Sequence, residues 1–244
     1  MDLENKSALV TGASRGIGRV IATTLAAQGA AVAVHYGTNE DLAEGVVEEI
    51  TAAGGRAFAV RADLRRPQEV RDLFATVLAK WGRLDVLVNN AGLAEHGTIG
   101  AYDEDRFDAM LAVNVKAPFL AMQQAALHLA DGGRIVNVSS AITQSAMAER
   151  GVYGAVKAAL EQLGFALSKE LGSRGVTVNN VLPGPTETEE FDDAMRAGYA
   201  FLVDRTPLGR FGQPGDIADL VSFLASDRAR WVTGQSIVAS GGLI

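Results

Sequence analysis

"TGASRGIGRV", residues 11–20, decides how the rest of the chain is read. The residues before it, "SALV" at 7–10, form a short apolar run of the kind that makes a buried strand. Those after it, "RVIATTLAAQG", carry apolar side chains at helical spacing until Gly29 can end the helix. Gly12, Gly16 and Gly18 therefore fall in a strand-to-helix turn. Such a turn aims several backbone N–H groups and the positive end of a helix dipole at one point, and glycines let a phosphate oxygen approach the main chain. The spacing is not the G-x-G-x-x-G of the common dinucleotide fingerprint. Taken locally, the pattern suits an anion cradle and a tight turn without a ligand equally well, so the decision rests with the remainder of the chain.

Composition narrows the function classes. The chain has 244 residues, of which 48% are hydrophobic, enough to bury a large core. No Pro/Ser-rich linker, block of like charge or repeat divides it, which predicts a single domain over 1–244. The acidic N-terminal "MDLENKSALV" is unlike a secretory or organellar leader, and no apolar run is long enough to cross a bilayer, so the expected location is cytoplasmic with no membrane partner. There is no cysteine, and three scattered histidines make a poor metal cluster, so no metal site is expected. A formal charge of −7 argues against nucleic acid. Redox chemistry in such a chain needs a borrowed cofactor.

Strand-like runs occur at "SALVTG", "AVAVHY", "AFAVRAD", "LDVLVNN", "GRIVNVSS", "VTVNNVL" and "QSIVAS", mostly separated by helix-patterned stretches, with long helices expected over 103–131 and 151–174. Continuous Val/Ile/Leu strands alternating with helices predict an α/β fold, a doubly wound, Rossmann-type parallel sheet of about seven strands. The clusters "TGASRGIG", "NNAG", "SSA" and "PGPTET" all follow strands, at the carboxyl ends where such sheets bind ligands.

Within "GVYGAVKAALEQL", Tyr153 and Lys157 are four residues apart and share a helix face. A phenol with a pKa near 10 must come down by about 2 to 3 pH units to act as a base near neutrality, which costs about 3 to 4 kcal/mol. A lysine charge about 4.5 Å away supplies about 3.7 kcal/mol at an effective dielectric of about 20. The pair is energetically sufficient, although a tyrosine packed beside a lysine stem gives the same spacing.

The ordered set of "TGASRGIG", "NNAG" at 89–92, Asn114 in "LAVNVKAPF", Ser140 in "GRIVNVSSA", Tyr153 with Lys157, and "PGPTET" at 183–188 resembles the short-chain dehydrogenase/reductase family over nearly the whole chain. The resemblance implies four catalytic residues. Tyr153 is the general acid/base, Lys157 lowers the tyrosine pKa and holds the nicotinamide ribose, Ser140 holds the carbonyl oxygen, and Asn114 anchors a water; Asn114 could instead satisfy backbone in a helix kinked at Pro118. It also implies a cofactor groove of Gly12, Ser14, Arg15, Gly16, Ile17 and Gly18, then Tyr36, Thr38 and Asn39, Asp63 and Leu64, Asn90, Ala91 and Gly92, and Pro183, Gly184, Thr186 and Thr188.

By this resemblance the position that selects NAD by an acidic side chain is Tyr36, and Arg15 stands where NADP-preferring relatives often carry a base. NADP(H) is the expected cofactor, with NAD(H) a weaker alternative because Gly37 lacks a second basic side chain. Asp63 resembles the residue that bonds adenine, or simply caps the helix before Pro67. Residues 186–206 resemble a substrate lid, and the acidic run 187–193 is either a solvated face or a repellent for acidic carrier proteins. With "LHLADGG" where carrier-protein reductases tend to be basic, the favoured substrate is a free small carbonyl or alcohol. The alternatives are a 3-oxoacyl carrier-protein reductase and a non-catalytic NADP-binding sensor. His96 is expected to face solvent, Trp81 and Trp231 to serve core or subunit packing, and the chain to form a homotetramer.

Overall fold

The computed structural model describes residues 2–189 and 191–244. Seven parallel strands, β1 (Ser7–Val10), β2 (Ala31–Tyr36), β3 (Arg56–Arg61), β4 (Leu84–Asn89), β5 (Leu129–Val138), β6 (Thr177–Pro183) and β7 (Ser236–Ala239), form one sheet in the order β3-β2-β1-β4-β5-β6-β7. The order reverses between β1 and β4, which opens a crevice at their carboxyl ends. The expected doubly wound sheet is therefore what forms.

Helices cover both faces, which is why the central strands read as unbroken apolar runs. Helices α1 (Gly16–Ala27), α2 (Glu40–Ala52) and α8 (Pro214–Ala225) bury Ile21, Leu25, Val46 and Val221 against Val10, Val34 and Val88. On the other face α3 (Pro67–Trp81), α5 (Ala117–His128) and α6 (Gly151–Glu170) bury Phe74, Met122 and Leu160 against Leu9, Leu87 and Ile135. Each fully buried aliphatic or aromatic side chain stabilises by about 1.5–3 kcal/mol. Trp81 packs edge-on against Phe58, whereas Trp231 is 94% exposed and takes no part in the core. No described helix is long and apolar enough to cross a membrane.

Two boundaries differ from expectation. The stretch 103–131 is α4 (Glu104–Leu111), a π-helical turn (Ala112–Lys116) and α5, ending at His128; "LADGG" then enters β5 directly. The register of β4 and β5 jumps from Leu84↔Leu129 to Val86↔Arg134, so the Asp/Gly-rich residues bulge out of a strand that looks like a loop in sequence. Helix 151–174 ends as α at Glu170 and continues as a single 3₁₀ turn, Gly172–Arg174.

One polar row crosses the sheet beneath α6. Asn89, Asn137, Asn180 and Ser236 stand in register on β4 to β7. Each amide donates to the next residue, Asn89 Nδ2 to Asn137 Oδ1 at 2.9 Å, Asn137 Nδ2 to Asn180 Oδ1 at 2.9 Å and Asn180 Nδ2 to Ser236 Oγ at 3.1 Å. Gly164 is the seat of α6 on this row, since a Cβ there would lie 2.5 Å from Asn137 Nδ2.

Candidate active site

The three glycines of the opening turn have separate reasons. Gly12 and Gly16 sit at φ +63 and +57, where side chains are strained. Gly18 has ordinary φ but no room: a Cβ would meet Gly12 O at 2.2 Å and Asn90 Nδ2 at 2.4 Å. The turn is braced from three sides. Asn90 Nδ2 donates to Thr11 O and Gly12 O, Thr11 Oγ1 accepts the N–H groups of Asn90 and Ala91, and Gly12 N–H donates to His35 Nδ1 at 3.0 Å. His35 Nε2 lies 3.1 Å from Ala62 O, so the ring is neutral with its proton on Nε2, and burial pushes its pKa down to about 4. A rigid, uncharged frame thus holds the N-terminus of α1, with Arg15 at its cap position, Ser14 before it and Ile17 packed on the core.

Asn114, Ser140, Tyr153 and Lys157 come together at the carboxyl ends of β4 and β5. Ser140 follows β5 and Tyr153 lies in the first turn of α6; their hydroxyls share a hydrogen bond. Lys157 is fully buried and donates from Nζ to Val138 O at 3.0 Å. Asn114 lies in the π-helical turn, a geometry that recurs at functional sites. Its Nδ2 donates to Leu93 O and Met110 O and its Oδ1 accepts from Leu93 N–H, so it satisfies backbone. Gly92 lets the group close up: a Cβ there would meet Asn114 Oδ1 at 3.0 Å and Lys157 Nζ at 3.2 Å.

The electrostatics differ from the expectation that Lys157 lowers the tyrosine pKa. Burial raises the Tyr153 phenol, opposed by the bond to Ser140 and by the charge of Arg150. Lys157 Nζ is 5.9 Å from the Tyr153 ring centroid, and burial brings the lysine's own pKa down to about 8, with Glu161 pulling it back up. Desolvation thus falls on both partners and keeps the phenol protonated through neutral pH. Arg150 adds a positive charge that pulls the phenol down.

The remaining residues expected in the groove lie at or just beyond the carboxyl ends of β2, β3, β4 and β6. Tyr36 ends β2 with its hydroxyl bonded to Glu40, and burial and Glu40 raise its pKa. Thr38 and Asn39 are exposed in the loop before α2. Asp63 is not a helix cap: Arg65 grips its carboxylate bidentately at 2.8 and 2.9 Å, which holds it at about 2. Leu64 and Ala91 border a small cleft beside Thr11. Pro183 closes β6 beside Ala239, Gly184 passes so close to Ser240 that a Cβ would lie 2.9 Å from its Cα, and Thr186 Oγ1 donates to Gly184 O. Thr188 stands over the cradle, 3.5 Å from where a Cβ of Gly16 would be. Among the described residues no cluster of His, Asp or Glu is set to hold a metal ion.

In front of Ser140 and Tyr153 opens a cavity of about 370 Å³, walled by Ala141, Ile142, Met147 and Pro185, by Phe191, Tyr199 and Leu202, and by Leu243 and Ile244. Phe191 and Tyr199 stack at 6.1 Å, and Phe191 meets Phe211 edge-on. Asp192 caps α7 (Asp193–Arg205), accepting from Met195 N–H at 2.7 Å. Of the acidic run, Glu187 pairs with Arg196 and accepts from Gln213 Nε2 at 2.6 Å, Glu189 Oε2 accepts the N–H of Gly16 at 3.0 Å, and Glu190 lies outside the described residues. The run is therefore more than a solvated face: one of its carboxylates sits on the phosphate cradle.

A family model described as enoyl-(acyl carrier protein) reductase matches residues 12–244. An uncharacterized oxidoreductase of Methylorubrum extorquens is 49% identical over 99% of this chain and 98% of its own. The chain belongs to the short-chain dehydrogenase/reductase family. Among solved structures, a short-chain dehydrogenase from Burkholderia cenocepacia in complex with NADP superposes with a TM-score of 0.95 at 41% identity, over 100% of this chain and 99% of that one. The angucycline C-6 ketoreductase LanV with bound NADP superposes at 0.94 and 46% identity, over 99% and 96%.

In this short-chain dehydrogenase/reductase, Thr11, His35, Arg61, Arg150 and Glu189 are the site residues that sequence reasoning passed over. Arg61 stands beside Tyr36 in the β2–β3 register and donates from Nε to Gly37 O at 3.2 Å, next to the glycine that lacks a base. The register was the available signal, since "AVAVHY" and "AFAVRAD" align end to end. His96 is exposed, as expected.

Proposed function

We propose that this oxidoreductase transfers hydride between NADP(H) and a ketone or secondary alcohol, with Tyr153 as general acid/base. The observation that carries the reading is a phenol bonded to Ser140, at the mouth of an apolar cavity and beside a glycine cradle. The cradle fits a dinucleotide: Gly12, Gly16 and Gly18 leave open what any Cβ would fill, and the N-terminus of α1 faces the opening. NADPH, when bound, supplies the hydride to the carbonyl carbon. Ser140 and Tyr153 hold the carbonyl oxygen through their hydroxyls, placing donors where negative charge develops, and Tyr153 Oη gives up its proton to that oxygen. Lys157, fixed by Val138 O and set against Asn114 at Gly92, orients the ribose and keeps a positive charge near the phenol.

Arg15 at the cap of α1 and Arg61 beside Gly37 support NADP(H) over NAD(H), because a 2′-phosphate meets positive charge there. A charge-assisted contact contributes about 1.5–3 kcal/mol, so NADPH binds about ten- to a hundredfold more tightly than NADH, and Arg15→Ala removes most of that margin. Fluorescence titration with both cofactors measures this; equal affinities in the native protein refute it.

Residues 186–206 act as the substrate lid within a single domain, 1–244, and a cytoplasmic homotetramer forms through α5 and α6, whose Phe119, Leu127 and Phe165 are exposed. The separation of Tyr153 from Lys157 favours carbonyl reduction over the enoyl reduction named by the family model, and the cavity favours a free ketone over a carrier-bound thioester. A non-catalytic sensor has no use for the Ser140–Tyr153–Lys157 set. Loss of reduced-nicotinamide absorbance with a panel of ketones tests the reading: Tyr153→Phe abolishes turnover while cofactor affinity stays nearly intact, and near-native turnover in that variant removes Tyr153 from the mechanism.

A further inference from the structure

Two guanidinium groups stand in the wall of the otherwise apolar substrate cavity, Arg150 at the entrance to α6 and Arg205 at the end of α7. Around the same crevice four other arginines hold carboxylates: Arg106 with Glu95, Arg196 with Glu187, Arg210 with Asp216 and Arg19 with Glu49. Among the described residues Arg150 and Arg205 form no ion pair. Arg150 is half-buried, gives one N–H to the Tyr199 hydroxyl and lies over that ring at 5.7 Å; Arg205 lies over the Phe201 ring at 5.4 Å. Aromatic contacts fix each planar head and leave most of its five donors unspent. In a chain of net charge −7, two guanidinium groups on one apolar cavity wall with no carboxylate partner among the described residues offer an anion charge-assisted contacts.

We propose that the preferred substrate is an oxo acid: a ketone with an apolar body and a carboxylate a few carbon atoms from its carbonyl, the carboxylate being held by Arg150. This rests on the ketoreductase reading above and names its substrate class. Arg150 stands three residues before Tyr153, one helical turn away, and its charge is felt at the Tyr153 phenol, so an anion on Arg150 lies within a short carbon chain of the oxygen that Tyr153 protonates. The apolar wall of Ile142, Met147, Phe191 and Leu202 accepts the body of the molecule. Arg205, which is exposed, draws the anion in from solvent and contributes less once it is bound.

The test compares 4-oxo-4-phenylbutanoate with its methyl ester as substrates with NADPH. The readout is the ratio of their kcat/KM values within one enzyme, in which any common change in folded fraction or in Tyr153 acidity cancels. The native protein favours the acid about ten- to a hundredfold, as a charge-assisted bidentate contact allows. Arg150→Met brings the ratio down to about one, Arg150→Lys restores part of it, and Arg205→Met lowers it only a few-fold. Raising the salt concentration lowers the ratio further in the native protein than in Arg150→Met. A native ratio of one or below overturns the substrate class, and a preference that survives Arg150→Met overturns the assignment to that residue. Reduction of neither compound, nor of any ketone in the panel, overturns the ketoreductase reading itself and this inference with it, an outcome told apart by the silent ester.

Discussion

Lys157→Met should make the protein more stable at neutral pH while destroying its activity. Lys157 is fully buried, its ammonium has one protein acceptor in Val138 O, and its pKa falls from 10.5 to about 8. At about 1.36 kcal/mol for each pH unit, holding the charge inside costs about 3.4 kcal/mol below pH 8. Methionine has a similar length and fills the same space without charge, but leaves Val138 O without its donor, a loss of about 1–3 kcal/mol. The balance is a gain of about 1 kcal/mol at pH 7. The sign of the pH dependence follows from the lowered pKa. Between pH 8 and 10.5 the unfolded chain binds a proton that the folded chain has released, so native stability rises with pH across that window. The variant lacks this rise, and its advantage of about 1 kcal/mol at pH 7 turns into a deficit of about 2 kcal/mol near pH 10.5. Urea unfolding of both proteins without added cofactor, at pH 7, 8, 9 and 10.5, measures the difference, and other titrating groups cancel between the two curves. Parallel curves would show that the folded protein does not disfavour the ammonium, and the argument would fail.

His35 gives a pH dependence of the same sign in a lower window. Its pKa falls from 6.5 to about 4, so the unfolded chain binds the extra proton and native stability drops as pH falls through this range, by up to about 3.4 kcal/mol; His35→Gln flattens that slope in urea unfolding, and an unchanged slope clears His35 of the effect. Gly18→Ala forces a methyl group against Gly12 O, which is backbone and cannot move aside, so it costs about 1–3 kcal/mol of stability and weakens NADPH at least tenfold; calorimetry showing native affinity rules this out. Glu189→Gln removes a carboxylate from the N–H of Gly16 and should tighten NADPH about two- to tenfold, whereas weaker binding in that variant would mean that Glu189 assists the cofactor.

The parts of the site that could be read from sequence are those whose chemistry is local. Gly12 and Gly16 announce a backbone that leaves the usual φ range, and Tyr153 with Lys157 announces a shared helix face, because both are fixed by spacing alone. Gly18 is legible as a glycine, but its reason, the approach of Asn90, depends on a strand more than seventy residues away. The π-helical turn at Asn114 has no local mark, since nothing in "LAVNVKAPF" distinguishes a wider turn from an ordinary one. His35 reads as one more strand residue until β1 and β2 pair and Gly12 N–H finds its ring. Spacing gives proximity but not burial: Lys157 is close to Tyr153, yet desolvation raises the phenol and lowers the lysine, and Arg150 adds a positive charge that the spacing did not announce. Strand β5 began early because a bulge can absorb "DGG" without ending the ladder.

The amide row beneath α6 makes strand alignment self-checking as the chain folds. A slip of one residue would turn Asn89, Asn137 or Asn180 toward the opposite face, where Val88, Val136 and Val181 are buried in an apolar layer, and each stranded amide would cost about 1–3 kcal/mol. Helix α6 adds its own gauge, because only Gly164 can rest on the row. Ser139 and Ser140 follow Asn137 within three residues on one chain segment, and Tyr153 lies eleven residues before Gly164 on the other. The distance between the serine hydroxyl and the phenol is thus set by where two pieces of scaffold lock together, well before any ligand arrives. A misaligned sheet would carry the same residues and have no catalyst.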